Sequence, residues 1–395
     1  MAIESRLAEL AVGVGANVQA GQLVFVTGEP GHLDMARRVA EAAYRRGARF
    51  VEVDLFDPIV QRARLQHAPA EALEEIPQWR RELIRILGAE RGACVQLTGT
   101  TEPHVFDDLE PSRVARVSLP RVPEWHDVEL LVNWTIVPTP TPAWATTYRP
   151  DLEPKAAYAA LEHDLAFVCR LDEPDPGAAW RERLAVLERR AAQLDAMRLD
   201  AVRFDGPGTA LCIGLLEAAR WDRPLMRTPE GIDHMPNVPT EEVFTVPDPG
   251  RVDGHVRLTR PTVVAGRRID EATLVFRDGH IVEVDGGPGV EALREFSTRH
   301  ENAGRLGELA LVDADSRVGR LGHVFGVTLL DENATSHIAL GYGFPELLPQ
   351  RDEGRANASE VHLDVMVGGR DVAVTGVDRD DAIRPLIIDG HWMVG

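Results

Sequence analysis

Hydrophobic positions along the first hundred residues switch repeatedly between two periods. Residues 23–29 (LVFVTGE) form a short apolar run bounded by turn residues, which predicts a buried strand. Residues 32–47 (HLDMARRVAEAAYRRG) carry apolar side chains three and four apart and end on Gly47, which predicts an amphipathic helix. Residues 48–57 return to a strand pattern, and 81–92 followed by 93–99 repeat the helix–strand order. Strand–helix–strand units of this length imply parallel pairing, so an open α/β layer domain is expected. Residues 129–145 (ELLVNWTIVPTPTPAWA) give a further strand and a proline-stiffened loop in which Trp134 and Trp144 anchor a core or line a cleft. Two long helices, 156–171 and 177–197, close this half.

From about residue 198 the texture changes. Short alternating runs are broken by Gly and Asp-Gly, and two turns stand out, GPGT at 206–209 and Asp278-Gly279. A helical segment at 289–300 interrupts the strands. The expectation is therefore an α/β N-terminal domain (1–197) with a mostly parallel sheet, plus a β-rich α+β C-terminal metal-binding domain (198–395).

Composition narrows the function. A length of 395 residues exceeds what one core usually supports. A formal charge of −20 excludes a nucleic-acid partner, which requires a basic face. Residues 1–10 lack the basic-then-apolar form of a signal peptide, and no run approaches a membrane span. Cys94, Cys169 and Cys212 form no CxxC pair and lie in apolar runs, as free thiols of a reducing compartment do. A cytoplasmic protein is expected. The stretch TGEPGHLD follows a strand but lacks GxGxxG spacing, so a plain βα turn is the reading there.

The chemistry concentrates in the C-terminal half. In VHLDVMVGG (361–369), His362 and Asp364 leave the same face of an extended run. In GELALVD (307–313), Glu308 shares a face with Ala310 and Val312. DENATSHIALGYG (331–343) reads as a helix start capped by Asp331 or Asn333, with His337 in its first two turns. NVPTEEVFTVPD (237–248) holds two adjacent acids on opposite faces, and alternation does not choose between Glu241 and Glu242. Two imidazoles and three carboxylates make a mixed N/O set suited to Zn, Co or Mn. A pair of divalent ions needs about that many ligands when one carboxylate bridges.

PTEEVFT, GELALV, DENATSHIALG and VHLDVMVG, in this order, resemble the signature blocks of the thermophilic metallo-aminopeptidases of the aminopeptidase T type. NWTIVP (133–138) and FDGPGT (204–209) resemble further blocks, and the similarity spans nearly the whole chain. The resemblance implies a homodimeric metal-dependent exopeptidase acting on short peptides with a free N-terminus. Carried over position by position, it implies Glu242, Glu308, His337, His362 and Asp364 as ligands of two divalent metal ions, with Glu308 bridging. Glu241 is then the candidate proton shuttle and Tyr342 a second. Two positions depart from the pattern: Phe344 stands where the family commonly has a tyrosine, and Val365 replaces an aromatic. A rival reading uses His337, His362 and Asp364 alone, as the facial triad of a mononuclear Fe(II) ring-cleaving dioxygenase. Another is a metal- or peptide-binding protein without catalysis.

Overall fold

The structure, a computed structural model, describes residues 3–114, 122–264 and 267–394. The short strands expected from about residue 198 onward therefore lie partly outside the described residues, at Ala265 and Gly266. The chain divides into two compact units. One comprises Met1–Arg181 and Leu225–Pro239; the other comprises Glu182–Pro224 and Thr240–Gly395.

The first unit alternates as its hydrophobic periods predict. In chain order its main elements are β1 (Leu23–Gly28), α1 (Leu33–Arg45), β2 (Phe50–Leu55), α2 (Pro58–His67), α3 (Gln78–Ala89), β3 (Ala93–Thr98), β4 (Asn133–Pro138) and α4 (Pro154–Val168). Val24, Phe25 and Val26 of β1 are buried, and α1 turns Met35, Ala36, Val39, Ala42 and Ala43 inward on one stripe. Its main sheet has four strands, all parallel, in the order β2-β1-β3-β4, and a separate two-stranded antiparallel pair joins Met226–Arg227 to Asp233–His234. Trp144 is fully buried as a core anchor, whereas Trp134 is half-buried, with its ring edge on Trp125.

The long helix α5 (Pro176–Met197) contains the division between the units at Arg181/Glu182, short of the expected residue 197. Residues 225–239 return to the first unit, a crossing without a compositional mark.

The second unit is β-rich. It contains β5 (Leu199–Gly206), β6 (Thr209–Leu215), β7 (Val243–Thr245), β8 (Pro247–Arg257), β9 (Ala272–Arg277), β10 (His280–Gly286), α6 (Val290–Arg299), β11 (Leu306–Leu311), β12 (His337–Gly341), β13 (His362–Met366), β14 (Ala373–Asp378), β15 (Ile383–Ile388) and β16 (His391–Trp392). Both expected hairpins form: Pro207-Gly208 joins β5 to β6, and Asp278-Gly279 joins β9 to β10 with positive φ at both turn residues. An eight-stranded sheet runs β10-β9-β8-β6-β5-β14-β15-β16. A second sheet, β13-β12-β11-β7, is antiparallel throughout and carries the candidate ligands.

Cys94 and Cys169 are buried free thiols, and Cys212 is half-buried. Burial pushes the Cys94 thiol up to about 12, so it stays protonated. Among the described residues, no helix is long and apolar enough to cross a membrane.

Candidate metal centre

Register alone puts the candidate ligands on one face of the second sheet. Ala310 of β11 pairs with Phe244 on one side and His337 on the other; Ala339 of β12 pairs with Glu308 and with Asp364. His362 lies two residues before Asp364, and Glu242 two before Phe244, so all five share that face. The positions between them are Ala310, Ala339 and Gly341, whose small side chains leave room above the sheet. A bulge at Gly307 breaks the alternation just before Glu308. It lets Leu306 pair with Leu340 on the opposite, apolar face while Glu308 stays with the ligand set.

The resulting groups are two triads that share one residue. Glu242, Glu308 and His337 form one, and Glu308, His362 and Asp364 the other, each with candidate ligand atoms within 4.8 Å of one another. His337 Nε2 lies 3.2 Å from Glu242 Oε2. His362 Nε2 lies 3.3 Å from Glu308 Oε2 and 3.1 Å from Asp364 Oδ1. His362 Nδ1 donates to the carbonyl of Tyr342 at 3.0 Å, which fixes the ring and leaves Nε2 for an ion. The donors suit divalent cations: mixed N/O chemistry, carboxylate excess and convergent geometry. The facial-triad reading does not match this grouping, because His337 sits with Glu242 and Glu308 rather than with His362 and Asp364.

Electrostatics show how tightly the set is packed. Burial alone would lower both histidines, but the carboxylates around them win. Glu242, Glu308 and Asp364 push His337 up to about 10, and Asp364 and Glu308 hold His362 well above its ordinary value. Burial raises Glu308, with Glu242 adding to it and His362 opposing. Asp364 is lowered: burial works against this, but His362 outweighs it.

The expected helix around His337 is corrected. A helical turn spans 328–334, Thr335 is extended, and His337 is the first residue of β12. The strand wins because HIALG is buried on both faces and pairs with β11 and β13, which overrides the local helix signal. Asp331 does not cap that turn; its carboxylate accepts from Phe325 N and Gly326 N, both at 2.8 Å.

The two acids of PTEE part company. Glu242 enters the first triad, whereas Glu241 is fully buried with its carboxylate 2.5 Å from Arg183 Nε. Its backbone N–H donates to Asn333 Oδ1 at 2.6 Å. The Tyr342 hydroxyl donates to Glu346 at 3.4 Å, and the backbone carbonyl of Tyr342 accepts from His362 Nδ1.

One residue was missed by sequence reasoning. Glu332 is buried, and after burial itself the charges of Asp364 and Glu242 raise it well above the ordinary carboxylate range. It belongs electrostatically to the centre. The available signal is its place between Asp331 and Asn333 in DENATSH, the two residues read as candidate helix caps.

The chain matches the sequence profile of the thermophilic metalloprotease (M29) family over residues 3–392. It belongs to that family. It is 38% identical over 400 residues to Aminopeptidase T of Thermus thermophilus, covering 98% of each chain. It is 33% identical to Aminopeptidase 2 of Geobacillus stearothermophilus, covering 98% of this chain and 97% of the relative. A solved structure described as wild-type AmpT from Thermus thermophilus superposes with a TM-score of 0.91 at 37% identity, covering 99% of each chain. This metalloprotease is thus a hydrolase of the aminopeptidase class. Within it, Phe344 packs its ring edge 5.5 Å from the His362 ring, centroid to centroid, and also contacts Phe244 and Tyr342.

Proposed function

We propose that this metalloprotease removes the N-terminal residue of short peptides with the help of two divalent cations held across Glu308. The observation that carries the reading is the pair of triads sharing that carboxylate. Glu242 and His337 would hold one cation; His362 and Asp364 would hold the other. When bound, the cations would polarise the scissile carbonyl, acidify the attacking water and take up the free α-amine, which restricts cleavage to the first bond.

The protein must move the proton. Water loses one as the carbonyl is attacked, and the leaving amine gains one as the C–N bond breaks. Glu241 is tied to Arg183 and the Tyr342 hydroxyl to Glu346, so we assign this role to Glu332. Burial and adjacent carboxylates raise its affinity for a proton, a property of a group that takes one up and returns it. Asn333 links the segments: it accepts from Glu241 N and donates to Leu329 O, holding the Glu242 strand against the turn that carries Glu332.

The test is a metal titration. Chelator-stripped protein given Zn²⁺, Co²⁺ or Mn²⁺ should regain hydrolysis of aminoacyl anilides and saturate at two ions per chain. Full activity with one ion per chain would overturn the bridged-pair reading.

A further inference from the structure

The first unit holds a cavity that catalysis in the second unit does not use. It lies at the carboxyl ends of the parallel strands, bounded by Gly28 and Glu29 at the end of β1, Phe56 after β2 and Thr98 and Gly99 at the end of β3. The strand order β2-β1-β3-β4 reverses direction between β1 and β3. Such a switch point opens a crevice in which α/β sheets bind ligands. Its volume is about 390 Å³, the size of a small metabolite.

Two features at its wall point to a ligand. Gln61 of α2 is 5% exposed, yet its Nε2 is buried with no acceptor. An orphaned buried donor carries a cost of about 1–3 kcal/mol unless something fills the space beside it. Glu29 is the second feature. Thr101 donates a hydrogen bond to one of its oxygens, but no cation pairs with it among the described residues. Among the described residues that line the cavity, Arg80 is the only cation, and it is engaged by Asp54 at 3.2 Å. His32 adds no charge, because burial lowers it to about 4 against the pull of the Gly99 carbonyl. The rest of the lining combines apolar Phe25, Phe56 and Leu83 with polar Thr27, Asp54, Gln96 and Thr98.

A carboxylate lacking a cation and an amide donor lacking an acceptor, with apolar side chains in the same lining, match one ligand chemistry. A phosphate would meet Glu29 and be repelled. We propose that the cavity binds a free apolar amino acid as its zwitterion, with the ammonium on Glu29 and the carboxylate on Gln61 Nε2. An aminopeptidase releases ligands of this class. The assignment rests on the cavity alone, so its failure would leave the proposed hydrolysis standing.

The experiment is saturation-transfer NMR and calorimetry on the full-length, metal-loaded chain with L-leucine and L-phenylalanine. Because the metal centre also attracts amino acids, the decisive background is Glu308→Gln. Binding should persist there, weaken at least tenfold on adding Glu29→Gln or Gln61→Leu, and fail for N-acetyl-L-leucine, which lacks the ammonium. The Glu29→Gln and Gln61→Leu single variants should keep wild-type turnover. Loss of leucine binding in Glu308→Gln, or equal binding of leucine and its N-acetyl derivative there, would overturn the site. That last comparison stands even if a cavity variant fails to fold.

Discussion

Arg183 and Glu241 meet as a closed ion pair at 2.5 Å, with the carboxylate 1% exposed and the guanidinium 14% exposed. The neighbouring Glu242 points the other way, to His337. Burying one acid against an arginine thus fixes the direction of the next. Arg183→Ala removes the 2.5 Å ion-pair partner of a buried carboxylate and should cost about 3–5 kcal/mol, read from urea unfolding. The paired Arg183→Met, Glu241→Met variant should recover most of that loss, because both buried charges of the pair are removed together. Glu241→Gln should leave kcat within a few-fold, whereas Glu242→Gln should weaken metal binding; a collapse of kcat in Glu241→Gln with metal retained would return the proton-carrying role to Glu241.

Glu308 and Glu332 are both buried acids of the centre but should fail differently. Glu308→Gln removes the shared ligand, so metal content and turnover should fall together. Glu332→Gln keeps both triads and should hold two ions while kcat drops on the order of 10²- to 10⁴-fold. Elemental analysis beside steady-state kinetics separates the two. Near-normal kcat in a metal-replete Glu332→Gln variant would remove it from the mechanism.

How Glu308 reaches the shared position depends on Gly307. A Cβ there would lie 2.1 Å from the Tyr342 carbonyl oxygen, a contact with rigid backbone. Gly307→Ala must push β11 from the end of β12, moving Glu308 relative to His362. We expect destabilisation of several kcal/mol, about the 1–3 kcal/mol of an overpacked core or more, and weaker binding of the second ion. Unchanged metal affinity in this variant would show that the close approach is structural alone.

What the sequence made legible follows from the range of the interactions involved. Local periods exposed the βα alternation of the first hundred residues and the two tight turns, since neighbouring residues decide those. The HxD spacing placed His362 and Asp364 together for the same reason. The choice between Glu241 and Glu242 was invisible, because alternation is symmetric and the decision comes from Arg183, 58 residues away. His337 was misplaced on a helix because Asp331 and Asn333 imitate caps, while the strand forms only through pairing with β11 and β13. Glu332 went unseen for the same reason: its role depends on Asp364 and Glu242 arriving from other strands.

Stability at mild acidity should depend on two neutral histidines of the first unit. Burial lowers both His32 and His234 to about 4 from an ordinary 6.5. The unfolded chain therefore binds more protons between those values, so their contribution is complete above pH 6.5 and fades as pH falls toward 4. The loss approaches roughly 3 kcal/mol per histidine. Asp331, raised by burial to about 6, acts in the opposite sense, so the clean measurement is a difference between variants. His32→Gln should flatten the unfolding free energy between pH 6.5 and 4 relative to wild type. Parallel curves for the two proteins would refute the assignment.

The departure at Phe344 gives the most direct test of how the site stabilises charge. Its ring lies against His362, where related enzymes are expected to carry a phenol, and the nearby Tyr342 hydroxyl donates to Glu346. Phe344→Tyr adds one O–H donor beside the second triad with no change of ring shape. A donor that meets developing negative charge is worth up to about 10²–10³ in kcat when optimally placed. In a site not otherwise adapted to it, a rise of about tenfold is expected, with KM little changed. Tyr342→Phe should leave kcat within about twofold. Should Phe344→Tyr lower KM while kcat stays fixed, the new hydroxyl binds the ground state only. A fall in kcat on Tyr342→Phe would instead show that Tyr342 turns from Glu346 to the substrate during turnover.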